Sequence, residues 1–237
     1  MYNGGVILKF SEIVKTFKLA FQLKHCKSVN DVIDMHFDNW SISNHESKPG
    51  LSKALCYFQK NSINIMETGT SAYGCESTRL FDFYIRKFGG TLISVDISAY
   101  PKKKLRFQTT KATYLKVGDS VDFLESRKYL NLISSIDLCY FDSFDLDWHN
   151  PLDSANHALS EFKAIEHHLS SKAVIVIDDT PNSIELVPIE ARKQAMLFRD
   201  KFGVLPGKGA LILNEIKTNK SWNIIHHESN LVIEKVN

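Results

Sequence analysis

The 237-residue chain is long enough for one large α/β domain with a short extension, and 43% of its residues are hydrophobic, enough for a buried core. Its 29 basic and 27 acidic residues leave a net charge of +2, which provides no strong field for binding nucleic acid. The basic run at residues 102–104 is interpreted as the solvated start of a helix.

The cysteine pattern and the hydropathy bear on cellular location. The four cysteines, Cys26, Cys56, Cys75 and Cys139, show no CxxC spacing. The sequence shows neither a signal-peptide pattern nor an apolar run near membrane-spanning length. We therefore expect a cytoplasmic protein without a membrane span.

The first 60 residues are predicted to be helical. Apolar residues at helical spacing predict a helix after Ser11, a second after Ser28 and a third from Leu51, with a loop over residues 40–50. The basic side of the first helix could instead face a membrane or a lipid-linked substrate, although most such helices cover a core. We expect residues 1–60 to form a helical cap over the site of a main domain, residues 61–237.

The main domain alternates predicted strands and helices. One predicted strand begins at Ile63, and four more span residues 91–95, 112–117, 136–141 and 173–177. Predicted helices span residues 76–88, 101–108, 118–124, 153–169 and 188–202. Residues 210–213, 222–225 and 231–236 are predicted as strands of a terminal antiparallel hairpin region. Eight runs are thus predicted as strands, and the fold we expect is a doubly wound, mostly parallel, seven-stranded Rossmann-like sheet with a C-terminal antiparallel hairpin and an N-terminal helical cap.

The loop after the first strand of this domain contains two glycines, Gly69 and Gly74. Glycine lets a ligand approach backbone N–H groups closely, so the loop, with Thr70 and Ser71, is a predicted cofactor-binding segment. A purely structural turn is the alternative. Glu67, at the end of the strand, would repel a pyrophosphate but suits an ammonium or a sulfonium. Since GxGxxG is also absent, S-adenosylmethionine is favoured over NAD.

Further polar residues follow the next two strands. Asp96 lies 22 positions after Gly74, near the spacing at which nucleotide sites place a ribose-binding acid. Asp119 and Ser120 could contact an adenine edge or could simply cap a helix. An acid at a strand end can likewise do no more than cap the next turn.

Three acids follow the two later parallel strands, Asp142 after one and Asp178 with Asp179 after the other. The carboxyl ends of parallel strands share one edge of the sheet, so these acids should meet there with Glu67 and Asp96. Crowded carboxylates need a compensating cation, and Mg²⁺, Ca²⁺ or Mn²⁺ would suit oxygen ligands. The alternative is that each Asp caps a local turn.

Residues 63–213 resemble the class I S-adenosylmethionine-dependent methyltransferases, specifically metal-dependent O-methyltransferases of the catechol and macrolide-sugar types. The resemblance is carried by Glu67-Thr-Gly-Thr, Asp96, Gly118-Asp119-Ser120, Phe141-Asp142 and Ile177-Asp178-Asp179. It implies that Asp142, Asp178 and Asp179 hold Mg²⁺, with Asp142 also lining the cofactor site. Such a metal orients two oxygens of the substrate.

The sequence departs from the family pattern at two places. The gap between Gly69 and Gly74 is longer than in the tightest versions of the first motif. Sugar-modifying relatives often carry a His or Asp base shortly after the first metal-binding Asp, and here Asp145 is preferred, with His149 as the second choice. Trp148 and Trp40 could line an acceptor pocket or could pack elsewhere.

The function expected from this resemblance is Mg²⁺-dependent methylation of a hydroxyl on a small acceptor, with a sugar or glycoside ahead of a catechol. The alternatives are an inactive, nucleotide-binding relative that serves as a binding module and a relative that oxidises its substrate. The latter is disfavoured because no pair of histidines accompanies the acids. The sequence does not define an oligomeric state, and a homodimer is compatible with it.

Overall fold

The computed structural model of the chain describes residues 14, 18, 21–71 and 74–236. Most of the helix predicted after Ser11 therefore lies outside the described residues. Val14, Lys18, Phe21 and Gln22 are helical, and a short 3₁₀ turn follows at Leu23–His25.

The other two N-terminal helices are present. Helix α1, Val29–Asn39, begins with a capping box, in which Ser28 Oγ accepts a hydrogen bond from Asp31 N while the Asp31 carboxylate accepts from Ser28 N. Helix α2, Lys48–Tyr57, begins inside the predicted 40–50 loop. Pro49 lies in its first turn, where a missing N–H costs nothing.

The main domain is built on a seven-stranded sheet in the order β3-β2-β1-β4-β5-β7-β6. Its strands are β1 Ile63–Thr68, β2 Gly90–Asp96, β3 Thr113–Val117, β4 Ile136–Phe141, β5 Leu169–Ile177, β6 Trp222–His227 and β7 Leu231–Lys235. Strands β1 to β5 pair in parallel, and β7 pairs antiparallel with both β5 and β6. The predicted Rossmann-like architecture with a C-terminal antiparallel hairpin is confirmed.

Helices cover both faces of this sheet. They are α3 Ser77–Phe88, α4 Ala99–Leu105, α5 Ser120–Glu125, α6 Leu152–Ile165, α7 Arg192–Phe202 and α8 Ala210–Thr218. Alternation along β4 divides the core: Leu138 and Tyr140 pack with α1, α2 and α3, whereas Cys139 and Phe141 pack with α5, α6 and α8. The sheet is therefore buried on both sides, as parallel sheets usually are.

One predicted strand is wrong. Residues 210–213 form the first turn of α8, not a strand. Ala210, Leu213 and Ile216 are all buried in the core cluster that contains residues of β5 and β7, and their spacing of three residues is helical. Four consecutive apolar residues cannot separate a short buried strand from a buried helix, so the sequence pattern was ambiguous here.

The N-terminal helices belong to the layer that covers one face of the sheet. Helix α2 packs against β5, β6 and β7, while α1 packs against α2 and α3. Their apolar residues share a cluster with Ile65, Val174 and Val232 of the sheet. Among the described residues, no helix is long and apolar enough to cross a membrane.

Candidate active site

The carboxyl ends of β1, β4 and β5 are joined beyond the last paired residues of the sheet. Asp142 N donates to Thr68 O at 3.0 Å, and Asp178 N donates to Phe141 O at 3.1 Å. Each of these two hydrogen bonds extends the pairing of neighbouring strands by one residue. The predicted acids Asp142, Asp178 and Asp179 are thereby brought to one edge.

Glu67 lies beneath the loop that follows β1 and is fully buried. Its carboxylate accepts hydrogen bonds from Ser77 Oγ, Thr78 Oγ1 and Ser94 Oγ, at 2.5, 2.6 and 2.5 Å. Burial raises the pKa of Glu67 to about 7, and the three hydroxyl donors limit that rise. The geometry ties β1 to α3 and β2; a direct contact of Glu67 with a cationic ligand stays a prediction.

The loop after β1 approaches β4 closely. Gly69 has a φ of +87°, and a Cβ atom there would lie 2.2 Å from Asp142 O. Gly74 also has a positive φ, of +83°. Thr70 N donates to Asp96 Oδ2 at 3.0 Å, and Ser71 N donates to Thr78 Oγ1 at 2.6 Å. Glycine is therefore required at position 69 because the loop after β1 and the end of β4 approach closely there. The local sequence does not reveal this reason.

Asp96 lines a cavity of about 370 Å³ together with Asp119 and Ser120. Its Oδ1 accepts from Ser98 N at 2.6 Å and its Oδ2 from Thr70 N. Each oxygen keeps a second lone pair, so the carboxylate can still accept from two ligand hydroxyls. Ile97 and Phe144 add apolar side chains to the same cavity. A flat base with a diol-bearing sugar fits this combination of walls.

Asp119 also caps α5, because its side chain accepts from Asp122 N at 3.0 Å. The two roles considered for Asp119 are therefore compatible in this structure. Ser120 Oγ lies 3.0 Å from His157 Nε2, and that imidazole lies 3.4 Å from the buried carboxylate of Glu161. The hydrogen bond to Glu161 raises the pKa of His157.

His157 and Glu161 were not predicted from the sequence. They lie four residues apart on α6, so they share a helix face, and Glu161 also accepts from Ser143 Oγ at 2.6 Å. Glu161 lies three residues after Ala158 and four before Ile165, on the apolar side of α6, and a Glu at such a position was the available signal.

The three acids at the strand ends form one cluster. Asp142, Asp178 and Asp179 each offer a ligand atom, and these atoms lie within 4.8 Å of one another. Tyr140 Oη donates to Asp178 Oδ2 at 2.9 Å, and Ser47 Oγ and Asn230 Nδ2 donate to Asp178 Oδ1. Asp179 has a left-handed φ of 44°, a conformation that Asp tolerates better than most residues. The three hydrogen bonds hold the Asp178 carboxylate in one orientation.

Lys208 lies inside this cluster and was also missed from the sequence. Its ammonium pairs with Asp142 Oδ1 and lies 3.1 Å from Asp179 Oδ2, and the side chain is 3% exposed. Burial acts to lower the pKa of Lys208, but the neighbouring carboxylates outweigh it and raise the pKa. The available signal was the turn 206–209, in which glycines flank the lysine.

The donor set fits a divalent cation. Three carboxylates and one ammonium leave a formal charge of −2, and every candidate ligand atom is an oxygen, as Mg²⁺ prefers. Burial, and then the charge of Asp178, raises the pKa of Asp142 well above its usual range; burial, and then Asp179, raises the pKa of Asp178. Lys208 alone therefore does not neutralise the cluster.

The cluster lies between two adjacent cavities. One, of about 400 Å³, is lined by Gly69, Thr70, Ser71, Asp96, Asp145, Lys208 and the three acids, together with His45, Glu46, Ser47 and Ser143. The other, of about 170 Å³, is lined by Glu46, Trp148, Asp178, Asp179, Pro181, Leu186, Pro188 and Ser229. The two cavities share Glu46, Asp178 and Asp179, so a molecule in the smaller one would lie next to Asp178 and Asp179.

The candidate bases differ in position. Asp145 lines both the 370 Å³ and the 400 Å³ cavities. His149 is exposed and lines none of the three cavities, and its backbone N–H donates to Asp147 Oδ1 at 2.8 Å. Trp148 faces the smallest cavity, whereas the Arg79 guanidinium lies 3.8 Å from the ring centroid of Trp40.

No protein-family model matches the sequence. No curated protein matches it either.

Solved structures do match the fold. One is MycE, a methyltransferase of mycinamycin biosynthesis bound to magnesium and S-adenosylhomocysteine, with a TM-score of 0.59, 13% identity and coverage of 88% of this chain and 55% of that one. Another MycE structure, which also contains mycinamycin VI, has a TM-score of 0.58, 14% identity and coverage of 88% and 53%. The chain thus spans about half the length of these two MycE chains.

Two full-length matches are a candidate caffeoyl-CoA O-methyltransferase from Staphylococcus aureus and a calicheamicin methyltransferase. The first has a TM-score of 0.53, 15% identity and coverage of 94% of this chain and 99% of that one. The second has a TM-score of 0.51, 14% identity and coverage of 99% and 98%. At these identities the matches establish the fold, and the resemblance to class I methyltransferases predicted from the sequence is confirmed at that level.

Proposed function

We propose that this protein is an S-adenosylmethionine-dependent O-methyltransferase that uses Mg²⁺ and methylates a hydroxyl of a small acceptor, with a sugar or glycoside favoured. The observation that carries the proposal is the position of the acid cluster Asp142, Asp178 and Asp179. It lies where a polar cleft running to Asp96 meets a separate cavity that contains Trp148. A cofactor in the cleft would therefore lie beside all three carboxylates, and an acceptor in the separate cavity would lie beside Asp178 and Asp179.

The cofactor side is assigned to the two larger cavities. Asp96 would accept the ribose hydroxyls, and Asp119 with Ser120 would border the base. The loop of Gly69, Thr70, Ser71 and Gly74 would lie against the amino acid part. Glu67 would act chiefly by holding this loop, since its carboxylate is engaged by three hydroxyls.

The acceptor side is assigned to the cavity of Trp148, Pro181 and Leu186. A flat aromatic ring beside proline suits the face of a sugar ring or an aglycone, and Glu46 and Ser229 offer polar partners for hydroxyls. Mycinamycin VI, which is bound in the second MycE structure, supports a small-molecule acceptor.

The methyl donor supplies an activated methyl group, so the protein must mainly align the acceptor oxygen and remove its proton. Mg²⁺ held by Asp142, Asp178 and Asp179 would lower the pKa of the acceptor hydroxyl. As the acceptor oxygen bonds to the methyl carbon, the carbon–sulfur bond breaks and S-adenosylhomocysteine leaves. The proton passes to a base, for which Asp145 is proposed and His149 is the alternative.

The first test is calorimetric titration with S-adenosylmethionine, which requires no knowledge of the acceptor. We expect binding by the wild type and, because the ribose hydroxyls lose a charged acceptor, at least about tenfold weaker binding by Asp96→Asn. Asp200→Asn, a change at a side chain that is 69% exposed on α7, is the matched control and should bind as the wild type does. If the wild type does not bind S-adenosylmethionine, a binding module that does not use this cofactor becomes the better interpretation.

The second test measures turnover. A panel of glycosides and catechols is incubated with methyl-labelled cofactor, and methylated product and S-adenosylhomocysteine are followed by mass spectrometry. Turnover should require a divalent cation and should fall at least about a hundredfold in Asp142→Asn, because a ligand charge is lost. Turnover that persists in a chelator would refute the metal role while leaving the cofactor assignment intact.

A further inference from the structure

Lys208 is delivered to the acid cluster by a turn that is bonded to the end of β5. Lys208 N donates to Asp179 O at 3.0 Å, and Gly209 N donates to Thr180 Oγ1 at 2.9 Å. A Cβ atom on Gly207 would lie 2.5 Å from Asp179 O, so only glycine allows this approach. The turn therefore holds the backbone of Lys208 next to the acids.

The ammonium uses oxygens that a metal would need. It pairs with one oxygen of Asp142 and one of Asp179. Asp178 has few free acceptor sites, since its Oδ1 accepts hydrogen bonds from both Ser47 and Asn230. A carboxylate oxygen has two acceptor sites, so Oδ1 of Asp178 is already saturated.

We propose that Lys208 is an internal counter-cation that competes with the divalent cation for Asp142 and Asp179. Binding of a metal then requires the ammonium to withdraw from at least one of these carboxylates. Lys208 keeps the metal-free cluster partly neutralised, and it weakens metal binding compared with three unpaired carboxylates. This inference rests on the metal site of the proposed function and adds to it a residue that sets the affinity of that site.

The test compares Mg²⁺ binding, measured by calorimetry with MgCl₂ alone, in the wild type and in Lys208→Met. Removal of a positive charge a few ångströms from the metal should tighten Mg²⁺ binding at least about tenfold. Without metal, Lys208→Met should melt at a lower temperature than the wild type, and it should gain more from added Mg²⁺. Lys220→Met is the control, because Lys220 is exposed and precedes β6 at the opposite edge of the sheet, and it should match the wild type in both measurements.

Equal or weaker Mg²⁺ binding by Lys208→Met would overturn the competition while leaving the metal site in place. Absence of Mg²⁺ binding in both proteins would refute the metal site and the inference together, whereas titration with S-adenosylmethionine would still report on the cofactor site. Binding by Lys208→Met alone would support competition in its strongest form.

A measurement on the wild type covers the case in which Lys208→Met does not fold. With ¹⁵N-labelled lysine, a buried, ion-paired ammonium gives an NMR signal protected from exchange, which can be assigned by its absence in Lys208→Arg. Titration with MgCl₂ should shift or broaden this signal in step with the calorimetric binding curve. A signal that does not change while the site saturates would contradict the proposal.

Discussion

Glu67 shows how a buried charge organises the loop after β1 at the scale of single residues. The carboxylate is out of contact with solvent and is held by hydroxyls from α3 and β2. Each hydroxyl gains a charged acceptor when the carboxylate is ionised, and such bonds are stronger than neutral ones. The cost of burying the charge still dominates, so the pKa rises to about 7.

This pKa predicts a pH dependence of stability. Between about pH 4.5 and pH 7 the unfolded chain loses the proton of Glu67 while the folded chain keeps it, so this residue's contribution to stability falls as the pH rises. Above that range the loss is constant, at about 3 kcal/mol. We therefore expect Glu67→Gln to gain stability relative to the wild type across this window, by up to that amount.

Denaturant unfolding of both proteins at several pH values would measure the difference. The control is Glu215→Gln, which makes the same change at an exposed position on α8. Its difference from the wild type should not change across the window. Parallel stability curves for Glu67→Gln and the wild type would contradict the raised pKa.

At the scale of elements, the loop after β1 and the end of β4 form one unit, because Gly69 touches the backbone of Asp142. Gly203, the residue after α7, also has a positive φ, of +74°, but a Cβ atom there would meet nothing within 4 Å. A comparison of the two positions therefore separates the cost of a left-handed backbone from the cost of steric overlap.

Replacement of each glycine by alanine should have different consequences. Gly203→Ala should cost about 1 kcal/mol, from the left-handed backbone alone. Gly69→Ala should cost clearly more and should also weaken S-adenosylmethionine binding, since β1 and β4 must move apart at the site. Denaturant unfolding and calorimetry would measure both effects. Equal losses of stability with unchanged cofactor binding would show that the approach to Asp142 is not required.

Most strands could be predicted because buried parallel strands are apolar runs, and Asp96 at the end of β2 and Asp142 directly after β4 mark the carboxyl ends of these two strands. The meeting of Asp142, Asp178 and Asp179 followed from topology alone, because parallel strands end at one edge. The turn 206–209 could have drawn attention to Lys208, but its pairing could not be predicted, since the partners lie 66 and 29 residues earlier in the chain. The burial of Glu67 likewise depends on Ser94, a residue of another strand.

At the scale of the whole molecule, the N-terminal helices and the sheet share one apolar layer. Leu55 of α2 is fully buried in the same cluster as Val174 of β5 and Val232 of β7. Residues 45–47, between α1 and α2, also line the 400 Å³ cavity. The division at residue 60 stays a prediction, but this packing indicates that the two parts unfold together.

Leu55→Ala tests this coupling, with Lys53→Ala, at an exposed position of the same helix, as the control. A cavity at Leu55 should lower the free energy of unfolding by about 3 kcal/mol, whereas the control should stay within about 0.5 kcal/mol of the wild type. Because the layer is shared, we expect one transition, shifted equally whether unfolding is followed by near-ultraviolet circular dichroism or by loss of S-adenosylmethionine binding. Two separate transitions, with only the first shifted by Leu55→Ala, would instead identify residues 1–60 as an independent unit that can detach while the sheet and its site remain folded.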